Sequence, residues 1–267
     1  MNEMYINNIQ IEYELAGEGR SIVFVSGLDM GIKAWSYFYI RKLLELGFQT
    51  LSYNSRGTSR DHLLQDQFGI ELLVDDCIKL VDSLELTNIT LIGVSMGALI
   101  AEEMSLKRPD LVSKLCLIAT WGRRTAWLKA LHEGESEIYN NLSNIPVNYL
   151  VAMDMLQFFG QEALLDDARV VKQAENMRKN MDYLCEGRRL LFNAIANYDN
   201  RLGNLMGIQA ECLVIAFEKD ILAPPMLGKE VAKAIKGSKY VEIPNAAHSA
   251  IYEQKEKVLE HIIRFMR

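Results

Sequence analysis

Short β-prone runs alternate with helix-period stretches through the first 120 residues, and this alternation restricts the chain to stacked β-α units on a mostly parallel sheet. Ser21 to Val25, Phe48 to Tyr53, Ile89 to Ile92 and Lys114 to Ala119 read as its buried strands. A hairpin precedes them, because Met4 to Ile6 and Ile9 to Leu15 flank Asn7-Asn8, two residues that tolerate the positive φ of a tight turn. Ile70, Leu73, Val74, Cys77, Ile78, Val81 and Leu84 recur at helical spacing and predict a helix between the second and third of the buried strands. A further helix runs from Met96 to Lys107 and stops near Pro109.

The rhythm breaks between Trp121 and Gly207, where the pattern is helical throughout. Pro146 suits the first turn of a helix with Val147, Leu150, Val151, Met155, Phe158 and Phe159 on one face. Asp167 to Arg178 and Tyr183 to Asn197 are predicted as two more helices. The β-α rhythm resumes with the strand Cys212 to Phe217, a helix opening at Pro224-Pro225, the strand Lys239 to Ile243 and a closing helix. Val258, Leu259, Ile262 and Ile263 of that last helix face the core. The expected organisation is an α/β core of residues 1–120 and 208–267 with an all-helical cap, 121–207, laid over the sheet. A length of 267 residues suits one such domain with an insertion better than two independent domains.

Composition narrows the choice of partner. The apolar fraction is 49%, that of an ordinary globular protein, and a net charge of -6 without a dense Lys/Arg run argues against nucleic acid or an anionic membrane surface. Cys77, Cys116, Cys185 and Cys212 stand singly in apolar surroundings, without C-x-x-C spacing, and read as reduced and buried. Met1 to Gln10 has neither a basic leader nor an apolar core, and no run approaches the length of a membrane span. The expectation is a cytoplasmic protein whose partner is a small, partly apolar molecule; oligomeric state leaves no mark on the sequence.

Chemistry enters at Gly93-Val94-Ser95-Met96-Gly97, which lies between an apolar strand and a helix. A serine at the apex of a strand-to-helix turn projects its hydroxyl out of the fold, and flanking glycines relieve the crowding of so sharp a turn. The Met96 N–H, at the start of the helix, then points where an oxyanion would form. A five-residue match is weak alone, and glycine-rich turns also cradle phosphates, but no G-K-[ST] or G-x-G-x-x-G completes that alternative. Partners for Ser95 decide the matter. Of the four histidines, His62 sits in a polar loop, His132 in the helical segment and His261 on the terminal helix. His248 differs, since it follows the strand Lys239 to Ile243 in a small-residue loop, where sites of parallel sheets collect. Asp220 follows the preceding strand and is preferred to Glu218 as the acid that orients His248. Serine, acid and base in that order, each just past a strand, form the predicted catalytic set Ser95, Asp220 and His248. The Leu28 N–H, in the loop Ser26-Gly27-Leu28, is the candidate second oxyanion donor beside Met96.

Together these motifs make the chain resemble the α/β-hydrolase superfamily over its full length, and within it the capped esterase, enol-lactonase and haloperoxidase-like branch. The resemblance implies an α/β-hydrolase fold and a serine hydrolase acting on a small ester, lactone or thioester. Acyl transfer, carbon-carbon bond hydrolysis and cofactor-free isomerisation or cyclisation are alternatives in the same site, and a ligand receptor is an alternative of another class. The sequence departs from the family pattern at Ser26, where histidine is usual, at Asn54, where aspartate is usual, at Thr58 or Ser59 in place of a glycine, and at Phe217. No metal-ligand cluster such as H-E-x-x-H is present, and this chemistry requires no cofactor. Trp121, Trp127, Met153, Met155, Phe158 and Phe159 are the candidate walls of a substrate cavity; most of them are at helical spacing and suit packing within the cap, and Trp121 with a subset of the others suits both roles. Arg123-Arg124 suits either an anionic substrate group or a solvated surface.

Overall fold

The β-prone runs become β1 (Asn2–Ile6), β2 (Ile9–Ala16), β3 (Ser21–Val25), β4 (Gln49–Tyr53), β5 (Ile89–Val94), β6 (Val112–Ile118), β7 (Glu211–Phe217) and β8 (Lys239–Ile243). The structure, a computed structural model, describes residues 1–28, 30–58, 68–141, 144–198 and 201–267, with backbone alone at 36–37 and 180–186. Asp29, Ser59 and His62 lie outside the described residues, as does the side chain of Cys185. The described strands form one sheet in the order β1-β2-β4-β3-β5-β6-β7-β8. β1 pairs with β2 and β2 with β4 in antiparallel fashion, and the other neighbours run parallel. β3 and β5 are buried at every position, as central parallel strands covered on both faces must be. Asn7 and Asn8 hold φ of 45° and 66°, which matches the twist of the first hairpin.

Helices cover both faces of this sheet. Between β3 and β4 run α1 (Lys33–Trp35), a π-helical turn (Ser36–Ile40) and α2 (Arg41–Glu45), a crossing to which the sequence patterns above assign no helix. Its signal is Trp35, Tyr39 and Leu43, four residues apart and all buried. α3 (Ile70–Ser83) packs against α4 (Met96–Lys107), whereas α9 (Pro225–Ala234) lies on β7. The short α10 (Ala250–Glu253) leads into α11 (Lys255–Met266), which touches the π-helical turn. Arg56, in the loop after β4, is fully buried and forks onto Asp76 of α3 at 2.9 and 3.0 Å, while also donating to the Asn7 carbonyl. That ion pair ties the first hairpin, the β4 loop and α3 together.

Between β6 and β7 the chain is helical: α5 (Ala126–Asn140), α6 (Val147–Phe158), α7 (Gln161–Leu164) and α8 (Asp167–Asn197). The two helices expected over Asp167 to Asn197 are one helix of 31 residues. Polar residues near Lys179 interrupt the apolar stripe, but no proline interrupts the backbone. Leu150, Val151, Met155 and Ala174 form a small core of their own, whereas Val147 points outward at the first turn of α6. α8 crosses the core at Gly187, where a Cβ would lie 1.8 Å from the Gly57 carbonyl oxygen. Gly57 itself has φ of 86°, so two glycines make this backbone-to-backbone approach. Among the described residues no helix is long and apolar enough to cross a membrane.

One buried acid gives the fold a measurable pH dependence. Glu102 of α4 accepts a hydrogen bond from the Thr120 hydroxyl at 2.6 Å, and its other oxygen has no partner among the described residues. Burial pushes its carboxyl up from 4.5 to about 8. Between those values the native protein holds a proton that the unfolded chain has released, so stability falls as pH rises through that window. Glu102→Gln should remove this contribution. Urea unfolding at pH 5.5 and 7.5 is expected to show a wild-type loss about 2 kcal/mol larger than that of the variant. Equal losses in the two proteins would count against a protonated Glu102.

Candidate active site

β5 ends at Val94 and α4 begins at Met96, so the single residue Ser95 makes the turn between them. Its backbone sits at φ 54° and ψ -123°, a conformation that costs a non-glycine residue roughly 1–3 kcal/mol. The glycines two residues away are steric necessities. A Cβ on Gly93 would lie 2.3 Å from the Gly97 carbonyl oxygen, and one on Gly97 would lie 2.2 Å from that of Val25. The turn is held by the Ser95 N–H, which donates to the Ile118 carbonyl at 2.9 Å, and by the Ser95 carbonyl, which accepts from Ala98.

Two loops from the carboxyl ends of β7 and β8 meet this serine. His248 Nε2 lies 3.0 Å from Ser95 Oγ, and its Nδ1 lies 2.7 Å from Asp220 Oδ2. Asp220 is buried, and its Oδ1 accepts the N–H groups of Leu222 and Ala223 at 2.9 Å each. A carboxylate so fixed favours the tautomer with the proton on Nδ1, which leaves Nε2 free to accept the serine proton. Glu218, the rival acid, is exposed and accepts the Asn245 N–H at 2.7 Å instead.

Leu28 and Met30 face the same space from the loop after β3. Gly27 packs so closely there that a Cβ would lie 3.0 Å from the Val94 carbonyl oxygen and 3.3 Å from Ser95 Cβ. The Met96 N–H belongs to the first turn of α4, whose N–H groups have no acceptor within the helix. The departures at 26 and 54 acquire physical explanations. Ser26 Oγ accepts the Trp35 indole N–H at 3.0 Å, which braces the loop. Asn54 accepts the Ile32 N–H through Oδ1 and donates to Glu12 through Nδ2, a pairing that an aspartate beside Glu12 would lack.

The helices between β6 and β7 close the space above Ser95. The Ser249 N–H donates to the Phe158 carbonyl at 2.9 Å, and the Phe158 ring stands edge-on to His248 with centroids 5.4 Å apart. A cavity of about 590 Å³ results, with Ser95 and His248 in its wall. Of the six expected wall residues, Trp121, Phe158 and Phe159 line it. Trp127 does not: it is 55% exposed, because the inward stripe of α5 runs Leu128, His132, Glu135, Tyr139. Met153 and Met155 do not line it either, since α6 turns Asp154, Gln157 and Phe158 inward and Met155 joins the small core of that segment. Arg123 forks onto Glu230 and Arg124 donates to the Ala196 carbonyl, so both are engaged outside the cavity.

The sequence patterns missed a polar group on the helical wall. His132, Glu135, Asp154 and Arg188 are all buried and all line the cavity. Arg188 donates to Asp154 at 2.9 Å and lies over the rings of Tyr139 and Phe192. Burial pulls the His132 imidazole down to about 4, with Arg124 adding to the effect. Burial and then Asp154 push the Glu135 carboxyl up to about 7. His132 and Glu135 share a helix face with Leu128 and Tyr139, so polar residues on an otherwise apolar stripe were the available signal.

Known proteins resemble this chain over nearly all of its length. A candidate non-heme bromoperoxidase, BpoC, of Mycobacterium tuberculosis is 29% identical over 268 aligned positions, covering 96% of this chain and 97% of that protein. A crystal structure of BpoC superposes with a TM-score of 0.87, covering 100% of this chain and 97% of that one at 28% identity. The enol-lactonase of Burkholderia xenovorans LB400, at 22% identity, shares the fold with a TM-score of 0.87 and 99% coverage of each chain. Residues 20–255 match the family described as alpha/beta hydrolase fold, and with this sheet order and strand-to-helix turn the chain belongs to that family.

Proposed function

We propose that this protein is a serine hydrolase that cleaves a small ester, lactone or thioester through an acyl-enzyme on Ser95. The observation that carries the reading is the continuous contact Ser95 Oγ, His248 Nε2, His248 Nδ1, Asp220 Oδ2, with separations of 3.0 and 2.7 Å. His248 takes the hydroxyl proton as Ser95 attacks the carbonyl, and Asp220 stabilises the imidazolium that forms. The N–H groups of Met96 and Leu28 receive the oxyanion, and His248 then passes its proton to the leaving group. Water activated by the same imidazole releases the acid. In this reading residues 121–207 act as a cap over a core of 1–120 and 208–267, and Trp121, Phe158 and Phe159 hold the apolar part of the substrate.

The same contact between Ser95 and His248 also serves a second reading, in which the acyl group passes to a nucleophile other than water. The two readings share the acyl-enzyme and differ in what removes it. Product analysis of p-nitrophenyl acetate turnover, with and without added hydrogen peroxide or alcohols, separates them.

A fluorophosphonate probe is expected to label Ser95, as mass spectrometry of the peptide containing residues 93–97 will report, and to leave Ser95→Ala unlabelled. Folded protein that stays unlabelled beside a reactive control enzyme would overturn the acyl-enzyme. Asp220→Asn preserves the shape of the side chain but removes its charge and its grip on the tautomer. Steady-state kinetics with a short p-nitrophenyl ester should give a kcat lower by about 10⁴-fold, with little change in KM. A loss confined to KM would be inconsistent with Asp220 acting through His248.

A further inference from the structure

The helical wall of the cavity carries a charge imbalance. Among the described residues that line it, Asp154 is paired with Arg188 and Glu253 with Arg169, which leaves Glu135 as the carboxylate with no cation in ion-pair range. Glu135 is only 9% exposed; the Gln157 amide donates to it and Arg188 acts on it from beyond ion-pair range, but burial outweighs both. His132, one turn earlier on α5 and 4% exposed, has no hydrogen-bond partner at Nδ1 among the described residues. A neutral imidazole with Nε2 protonated offers Nδ1 as an acceptor. Both groups therefore present acceptors, and both line the cavity that Ser95 lines.

We propose that Glu135 recognises the cationic, amine-bearing end of the small ester or lactone this cavity takes, an assignment that rests on reading the cavity as the substrate site of Ser95. Three ligand chemistries can be compared against the wall. A carboxylate would meet Glu135 and Asp154 with Arg188 already engaged, and would bring a third negative charge to one buried cation. A purely apolar group would leave Glu135 without a counter-charge and His132 Nδ1 without a partner. An ammonium supplies both the charge that Glu135 lacks and the N–H donors that the two acceptors need. Burial and then Asp154 push the Glu135 carboxyl up to about 7 in spite of Gln157 and Arg188, and a cation brought against it would favour its charged form. The rest of the wall, Leu28, Met30, Trp121, Phe158, Phe192 and Ile195, suits a short hydrocarbon between the reacting carbonyl and that cationic end.

The test is a charge series on full-length Ser95→Ala protein, which binds without turnover. Hexylammonium, 1-hexanol and hexanoate have the same chain and differ in the head group, and calorimetric titration at pH 8 compares them. Hexylammonium should bind at least about tenfold more tightly than 1-hexanol, and hexanoate more weakly than both. Glu135→Gln in the same background should bring the amine to within about twofold of the alcohol, with thermal melting reporting that the variant is folded. Hexanoate binding as tightly as the amine, or an amine preference that survives Glu135→Gln, would overturn the proposal, and the first of these needs no Glu135 variant. Labelling of Ser95 by the fluorophosphonate without an amine preference overturns the assignment to Glu135 and leaves the hydrolase reading standing. Amine preference without labelling keeps Glu135 as a ligand-binding group and overturns the hydrolase reading.

Discussion

The left-handed backbone of Ser95 is the constraint on which the rest of the site depends. A serine does not adopt φ 54° and ψ -123° unless its surroundings hold it there, and the surroundings are β5, β6 and α4. The hydrogen bond to Ile118 fixes the turn to the neighbouring strand, while Gly93 and Gly97 let α4 and the loop after β3 close to distances that any Cβ would block. The hydroxyl therefore stands at the end of the sheet where the loops after β7 and β8 arrive. Asp220 and His248 need only the parallel order of β6, β7 and β8 to reach it. Folding energy from the large buried sheet keeps one strained residue in place, and that residue is the one whose hydroxyl lies 3.0 Å from His248 Nε2.

Much of this was legible because local rules and global fold agree along the core. The elbow glycines, the hairpin asparagines and the apolar strands each have one physical reading, and the strand boundaries fall within a few residues of those the patterns give. That Asp220 and His248 would meet Ser95 was legible for a related reason, since residues just past adjacent parallel strands arrive at the same end of the sheet. Serines, asparagines and glutamates whose meaning depends on a distant partner were not readable in this way. Ser26 is explained by Trp35 and Asn54 by Glu12 and Ile32, contacts that span 9, 42 and 22 residues and leave no local pattern.

The helical segment was less legible, and the reason is geometric. Helical period reveals that one face is apolar but not which surface that face meets, so Trp127, Met153 and Met155 were assigned to the cavity on hydrophobicity alone. In the structure α5 and α6 use their apolar residues to pack on one another and on α8, and they turn a polar row toward the cavity. The single long α8 is misread for the same reason, because a break in the apolar stripe marks a change of neighbour and not a break in the helix.

That polar row also accounts for how the segment and the core act on one another. The end of α6 touches His248 and its neighbour through Phe158, whose carbonyl accepts the Ser249 N–H and whose ring stands edge-on to the imidazole. One and four residues before Phe158, Gln157 and Asp154 belong to the polar wall in which Glu135 and Arg188 sit. One short helix thus carries both the surface that steadies His248 and part of the surface that a ligand meets. A buried ion pair such as Arg188 with Asp154 contributes little to stability by itself, since desolvation offsets most of its Coulombic gain. With Arg188 paired to Asp154 and lying over the Tyr139 and Phe192 rings, Glu135 is left without a cation in ion-pair range among the described residues. Under the proposal above, a cationic ligand paired with Glu135 would offset part of the cost of burying that carboxylate.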